Sequence, residues 1–241
     1  MKIAICYHGL LRGIKNTIES HSRNIYDVLD ENNINYDIFL HTWIIDDETL
    51  YDTKYKHAIA SDINNLKLLN CKKTQVDNQA DFLKNLDFSQ YFYEQEWTGT
   101  PPRTNNQKGE WIPQLLKNHL CALESLKRVY KLIQDSEINY DYILCIRPDG
   151  LLTNKIDINF FKDLSENEIA VPNNERYNGY CDQLAIGKVE YMKYYMMRID
   201  EAPEFRKTKH RIDAESYCRY IIDKYAKVKF IHYNYSKLIR N

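Results

Sequence analysis

The chain has 241 residues, enough for one sizeable core, and its 44% apolar and 28% charged content is that of an ordinary soluble globular protein. A net charge of −1 argues against a global field for nucleic acid or an anionic membrane, so an anionic ligand must be held by local basic groups. Cys6, Cys71, Cys121, Cys145, Cys181 and Cys218 include no CxxC pair, which argues against zinc and favours reduced thiols in a cytosolic setting. Residues 2–7 (KIAICY) read as a first strand, and 8–12 as a loop around Gly9. Residues 14–31 carry apolar side chains near helical spacing, 32–35 break the helix, and 37–42 form a second strand. Strand, helix and strand in about 40 residues make a right-handed βαβ unit.

Residues 46–62 read as an irregular loop, 62–69 as a short helix and 72–76 as a strand. A helix over 78–86 is capped by Asp77 or Asn78. The segment 87–109, with Trp97, Gly99, Pro101 and Pro102, is the least regular part and suits a functional loop. A long helix over 111–134, with Pro113 in its first turn, leads into a strand over 141–147. A short strand over 169–171, a polar loop over 173–181 and an apolar run over 182–186 follow. Helices over 188–197 and 213–225 and a strand over 227–233 complete the chain, read as one domain spanning 1–241. The first strand begins at once, without a leader's charged and apolar regions, and no apolar stretch reaches the about 20 residues that span a bilayer. A soluble cytoplasmic protein is expected.

Chemistry gathers where the apolar runs stop. YDYILCIRPDG (140–150) ends in Arg147, Pro148, Asp149 and Gly150; YDIFLHTW (36–43) ends in His41, Thr42 and Trp43; KIAICY runs into His8, Gly9 and Arg12. Pro148 ends a central strand and Gly150 permits a sharp turn. Ligand crevices of open α/β sheets lie at the carboxyl ends of strands, so the three ends suggest one composite site. Asp149 reads either as a ligand of Mg²⁺ or Mn²⁺ touching a diphosphate or as a turn aspartate capping its own backbone. Arg147 can pair with Asp149 or hold a phosphate through its fork. Gly9 and Arg12 suit an anion beside the following helix, or an ordinary loop, and no GxGxxG or P-loop motif is present. In NGYCDQ (178–183), Asp182 reads as a contact for sugar hydroxyls, a general base, or a cap. His41 and Trp43 offer a hydrogen bond and a stacking face, or simply satisfied boundary residues. His210, Glu215 and His232 are possible late contributors, and Asp46-Asp47 resembles a metal pair in a solvated loop. Basic residues are scattered, which disfavours nucleic acid.

KIAICYHGLLRG, YDIFLHTW, the long helix feeding YDYILCIRPDG, and NGYCDQLAIG occur in that order over residues 1–187. In this the chain resembles nucleotide-sugar glycosyltransferases of the GT-A type, in particular members from large DNA viruses and bacterial polysaccharide clusters. The resemblance implies a Rossmann-like α/β fold with a mostly parallel sheet, a nucleoside diphosphate sugar donor and a glycan or other hydroxyl acceptor. It implies that IRPDG stands where such enzymes carry a DxD-type metal motif, with Arg147 in place of the first aspartate and Asp149 matching the second. Gly9 and Arg12 match the nucleotide-contacting loop, Thr42 joins the cofactor-binding set at the second strand's end, and Asp182 matches an aspartate near the acceptor. A nucleotidyltransferase on a similar sheet and a catalytically inactive nucleotide- or sugar-binding module are the alternatives.

Overall fold

The unbroken apolar runs become strands buried on both faces, which is why they show no polar alternation. The computed structural model describes residues 1–45, 63–93, 113–174, 176–208, 211–232 and 235–237. Its strands are β1 (Lys2–His8), β2 (Asn35–Ile44), β3 (Lys73–Asn78), β4 (Tyr142–Ile146), β5 (Gly150–Leu152), β6 (Glu168–Pro172), β7 (Leu184–Lys188), β8 (Lys227–Ile231) and β9 (Tyr235–Lys237). Seven of them form a sheet in the order β3-β2-β1-β4-β7-β6-β8, while β5 and β9 form an antiparallel pair. Within the large sheet every neighbouring pair is parallel except those made by β7, which runs antiparallel to β4 and β6. The fold is α/β, a mixed and mostly parallel sheet flanked by helices, as the sequence led us to expect.

Each face of the sheet carries its own apolar cluster. Ala4, Cys6, Phe39 and Cys145 point toward α4 (Pro113–Gln134), whose Leu116, Leu120, Leu123 and Leu126 repeat at helical spacing. Ile3, Ile5, Leu40 and Leu144 point the other way, onto Ile14 of α1 (Ile14–His21) and onto Val28 and Leu29 of α2 (Asp27–Glu31). Burying each such Leu or Ile contributes about 1.5–3 kcal/mol. The helix expected over 14–31 is interrupted by a π turn, Ser22–Tyr26. α3 (Gln79–Asn85) is capped by Asn78, whose side chain accepts from the Ala80 and Asp81 amides. The sequence did not suggest α5 (Ile158–Asp163), β5, or the 3₁₀ turn Arg198–Glu201 that follows α6 (Val189–Met196) and leads into α7 (Ala202–Lys207). α8 (Ala214–Tyr225) is capped by Asp213.

None of the six cysteines is in a disulfide bond, and buried Cys6 and Cys145 face each other across β1 and β4. Among the described residues no helix is long and apolar enough to cross a membrane. The loop expected over 46–62, with Asp46-Asp47, and the part of the segment expected over 87–109 that begins at 94, with Trp97, lie outside the described residues, as do Trp111 and His210.

Candidate functional site

β1, β2 and β4 run parallel, so their carboxyl ends meet at one edge of the sheet. The chain goes from β1 outward to β2 and β3, then returns to place β4 on β1's other side, so the β1–β4 boundary is the switch point. Because β7 is antiparallel, its beginning lies at this same edge. Leu184 stands opposite Ile146, and the Arg147 amide donates to the Gln183 carbonyl at 3.2 Å. A cavity of about 280 Å³ opens here, bordered by His8, Gly9, Arg12, Trp43, Arg147, Asp149, Asp182, Arg198 and Glu215 among others.

Pro148 and Gly150 act as their chemistry requires. β4 stops at Ile146, and the Gly150 amide donates to the Arg147 carbonyl at 3.2 Å, closing a turn. That turn, rather than a continued extended strand, brings Arg147 and Asp149 face to face. Arg147 donates to both carboxylate oxygens, from Nε at 2.9 Å and Nη2 at 2.8 Å, and Arg12 Nε lies 3.3 Å from Oδ2. The Asp149 carboxylate is only 6% exposed, so these bonds replace its hydration. The corner is gripped from one side by α1 and the π turn. Thr17 donates to the Pro148 carbonyl, the Leu152 amide donates to Ser20, and Asn24 Nδ2 donates to the Leu152 carbonyl at 2.8 Å. His21 Nε2 lies 2.6 Å from the Gly150 carbonyl, which can only accept. Nε2 therefore carries the proton, and Nδ1 accepts from Tyr7 at 2.9 Å. Burial depresses His21 to about 4, which keeps this neutral tautomer in place.

The loop after β1 turns at Gly9, whose φ of 86° is a conformation that favours glycine. Its amide does not face the cavity as a spare donor. It donates to Ser125 Oγ on α4 at 2.7 Å, while Gly9 itself borders the cavity. Ser125 in turn lies 2.7 Å from His41 Nδ1, and His41 Nε2 donates to Asp77 at 3.0 Å. Arg128 also donates to Asp77. His41 is thus a satisfied core residue, depressed to about 4 by burial even though the bond to Asp77 opposes that shift. Trp43 borders the cavity, but its Nε1 is committed to the Cys121 carbonyl at 3.0 Å and Arg128 stacks over its ring. Thr42 takes the other face of β2. It is fully buried and is absent from the cavity's lining, because side chains alternate along β2 and Thr42 points away from the face that carries His41 and Trp43.

Asp182 lies just before β7, half-buried, at the cavity wall. Tyr195 donates to its backbone carbonyl at 2.9 Å. The loop leading to it is pinned on α8: the Tyr180 amide donates to the Glu215 carbonyl at 3.0 Å, and a Cβ on Gly179 would stand 2.0 Å from that carbonyl oxygen. Only glycine permits this approach, which draws Glu215 to the cavity. His232 is exposed and stands outside the lining.

His119 and Arg198 escaped the sequence reading, and His8, named there only as a polar end of the first strand, borders the cavity with them. Burial, followed by the nearby Arg147 and Arg198 charges, depresses His8 to about 3, so it is neutral at physiological pH. His119 on α4 is depressed to about 4, chiefly by burial. Arg198 is 2% exposed and borders the cavity from the opposite half of the chain. Its signal was its place three residues after Tyr195, on the buried face of α6 prolonged by one turn.

The donor set does not fit the divalent cation expected at Asp149. Both oxygens of this single carboxylate accept from guanidiniums, and a dication would have to displace them against like-charge repulsion. Among the described residues no three His, Cys, Asp or Glu side chains gather to hold a metal. We therefore derive no step through Mn²⁺ or Mg²⁺.

No protein-family model and no curated protein matches the chain. Among solved structures it is similar to mouse xyloside xylosyltransferase 1 in its apo form, with 11% identity and a TM-score of 0.44, over 96% of this chain and 85% of that one.

Proposed function

We propose that the chain is a glycosyltransferase that takes a nucleoside diphosphate sugar and transfers the sugar to a hydroxyl of a glycan or another acceptor. One observation carries the reading. Four separate segments, KIAICYHGLLRG, YDIFLHTW, YDYILCIRPDG with its preceding helix, and NGYCDQLAIG, supply the walls of one cavity at the switch point of the sheet. They are the segments whose order resembles GT-A enzymes.

In the proposed reaction the acceptor oxygen bonds to the anomeric carbon while its proton passes to the Asp182 carboxylate. The bond from that carbon to the diphosphate oxygen breaks, and the electron pair leaves on the phosphate. Guanidiniums fixed before substrate arrives would stabilise the charge that develops there. Arg147 and Arg12 are held at the rim by Asp149, which makes Asp149 a positioning residue in this scheme. Asp182 would orient the hydroxyl and accept its proton, a contribution typically worth about 10²–10⁴ in rate.

The test is a panel of nucleotide sugars and glycan acceptors with chelator present, followed by product analysis. Asp182→Asn should lower turnover by about 10²-fold or more while donor binding persists. Full activity in Asp149→Ala would remove Asp149 from the site, and an absence of transfer or donor hydrolysis across the panel would defeat the reading. Release of pyrophosphate from a nucleoside triphosphate would move it to a nucleotidyltransferase. A binding module without turnover is the second reading, favoured by the full engagement of Asp149 with arginine. Binding of a nucleoside diphosphate without reaction of any donor would establish it.

A further inference from the structure

Arg198 is a buried cation that forms no ion pair among the described residues, although the Asp182 carboxylate at the same cavity favours its charge. Its Nη1 donates to the Tyr195 carbonyl at 2.7 Å, and its guanidinium carbon lies 4.1 Å from the Tyr195 ring centre. The Tyr217 hydroxyl donates to the Arg198 backbone carbonyl, which fixes the turn. Nε has no hydrogen-bond partner among the described residues, and no carboxylate among them forms an ion pair with this side chain. Buried charges are ordinarily paired, because desolvation costs several kcal/mol per ion. A protein that keeps such a group at a cavity wall has a reason to do so. His8, on the same wall, is also buried and its Nδ1 has no hydrogen-bond partner among the described residues. Being neutral, it neither cancels the charge of Arg198 nor competes with it. Asp182 and Glu215 border the cavity too, so an anion gains only where it meets a guanidinium directly.

We propose that Arg198 is the anchor for the diphosphate of the ligand, bridging from the C-terminal half of the chain to the Arg147 side of the cavity and binding without a divalent cation. This rests on the transferase reading for the identity of the ligand as a nucleoside diphosphate; that the ligand carries negative charge where it meets this wall follows from the unpartnered Nε of buried Arg198.

Inorganic pyrophosphate, UDP, GDP and TDP are titrated into the full chain by calorimetry with EDTA present. Pyrophosphate and at least one nucleoside diphosphate should bind, and Arg198→Met should weaken both by at least about tenfold, the loss typical of a charged hydrogen bond. Arg198→Lys should retain part of the affinity. A readout on the unaltered protein covers the case of a misfolded variant: the Arg Nε–H resonance missing from the Lys variant should shift when pyrophosphate is added. Unchanged affinity in Arg198→Met, a resonance that does not move, or binding that requires manganese would overturn the proposal. If pyrophosphate binding depends on Arg198 yet no nucleotide sugar reacts, the anchor stands and the transferase reading falls. If transfer proceeds and Arg198→Met binds as the parent does, the reverse holds.

Discussion

Asp149 and Arg198 border the same cavity from opposite halves of the chain and are comparably buried, at 6% and 2% exposure. Their surroundings differ in kind. Asp149 sits in a corner where β4 ends, α1 grips the backbone on one side and two arginines meet the charge. Arg198 sits in a short turn with one carbonyl and one ring for company. In the first region a buried carboxylate is met by two guanidiniums; in the second a buried guanidinium forms no ion pair among the described residues, and only the more distant Asp182 favours its charge. A charge met on both oxygens marks a group that holds a shape, and a buried charge with no ion pair marks one that meets a visitor.

Acid should reach both regions through their buried rings, His21 at the Asp149 corner and His8 beside Arg198. His8, His21, His41 and His119 are all held below their ordinary value of 6.5, at about 3, 4, 4 and 4. The unfolded chain takes up these protons first as pH falls, so the stability they contribute is full above pH 6.5 and is lost as the pH drops from there through about 4. Each histidine accounts for on the order of 3 kcal/mol. Urea midpoints across this range should fall steeply, and a flat profile would mean that the rings are not buried neutral.

Replacing one charge at a time separates the two regions by sign. Asp149→Asn leaves two guanidiniums short of their counter-charge and should cost about 3–5 kcal/mol by equilibrium denaturation. Arg198→Met removes a lone buried charge and should leave the ligand-free protein unchanged or more stable, by up to about 1–4 kcal/mol. If both substitutions destabilise alike, Arg198 is as structural as Asp149 and the contrast fails. Thr17→Val tests the grip itself. It leaves the Pro148 carbonyl without its donor and should cost about 1 kcal/mol, with the thermal midpoint as readout.

Much of this was legible in the residues and some was not. The strand runs, their polar ends and the turn at Arg147–Gly150 follow from apolar content, a proline and a glycine. That Arg147 could pair with Asp149 was open from their spacing, but not that the turn would set its guanidinium on both carboxylate oxygens. The direction of β7 left no trace in its own five residues, because an apolar run buried on both faces reads the same either way. Yet that direction is what brings Asp182 to the cavity. Thr17, His21 and Asn24 looked like ordinary polar helix positions; their common face was readable, the backbone they would bond was not. Thr42 shows that an end-of-strand position says nothing about which face a side chain takes. The metal expectation met a related limit, since a motif gives a carboxylate's place without revealing what its oxygens already accept from.

The extra residue in the π turn lets one helical run serve two masters. Upstream of it, Thr17 and His21 are in phase with the corner strip; downstream, Val28 and Leu29 are in phase with the core. A regular helix advances about 100° per residue, so deleting a single residue between Ser22 and Tyr26 would swing one half away from its target by roughly that angle. The run works as a key with two bits cut at different angles, and its odd length is what lets both engage.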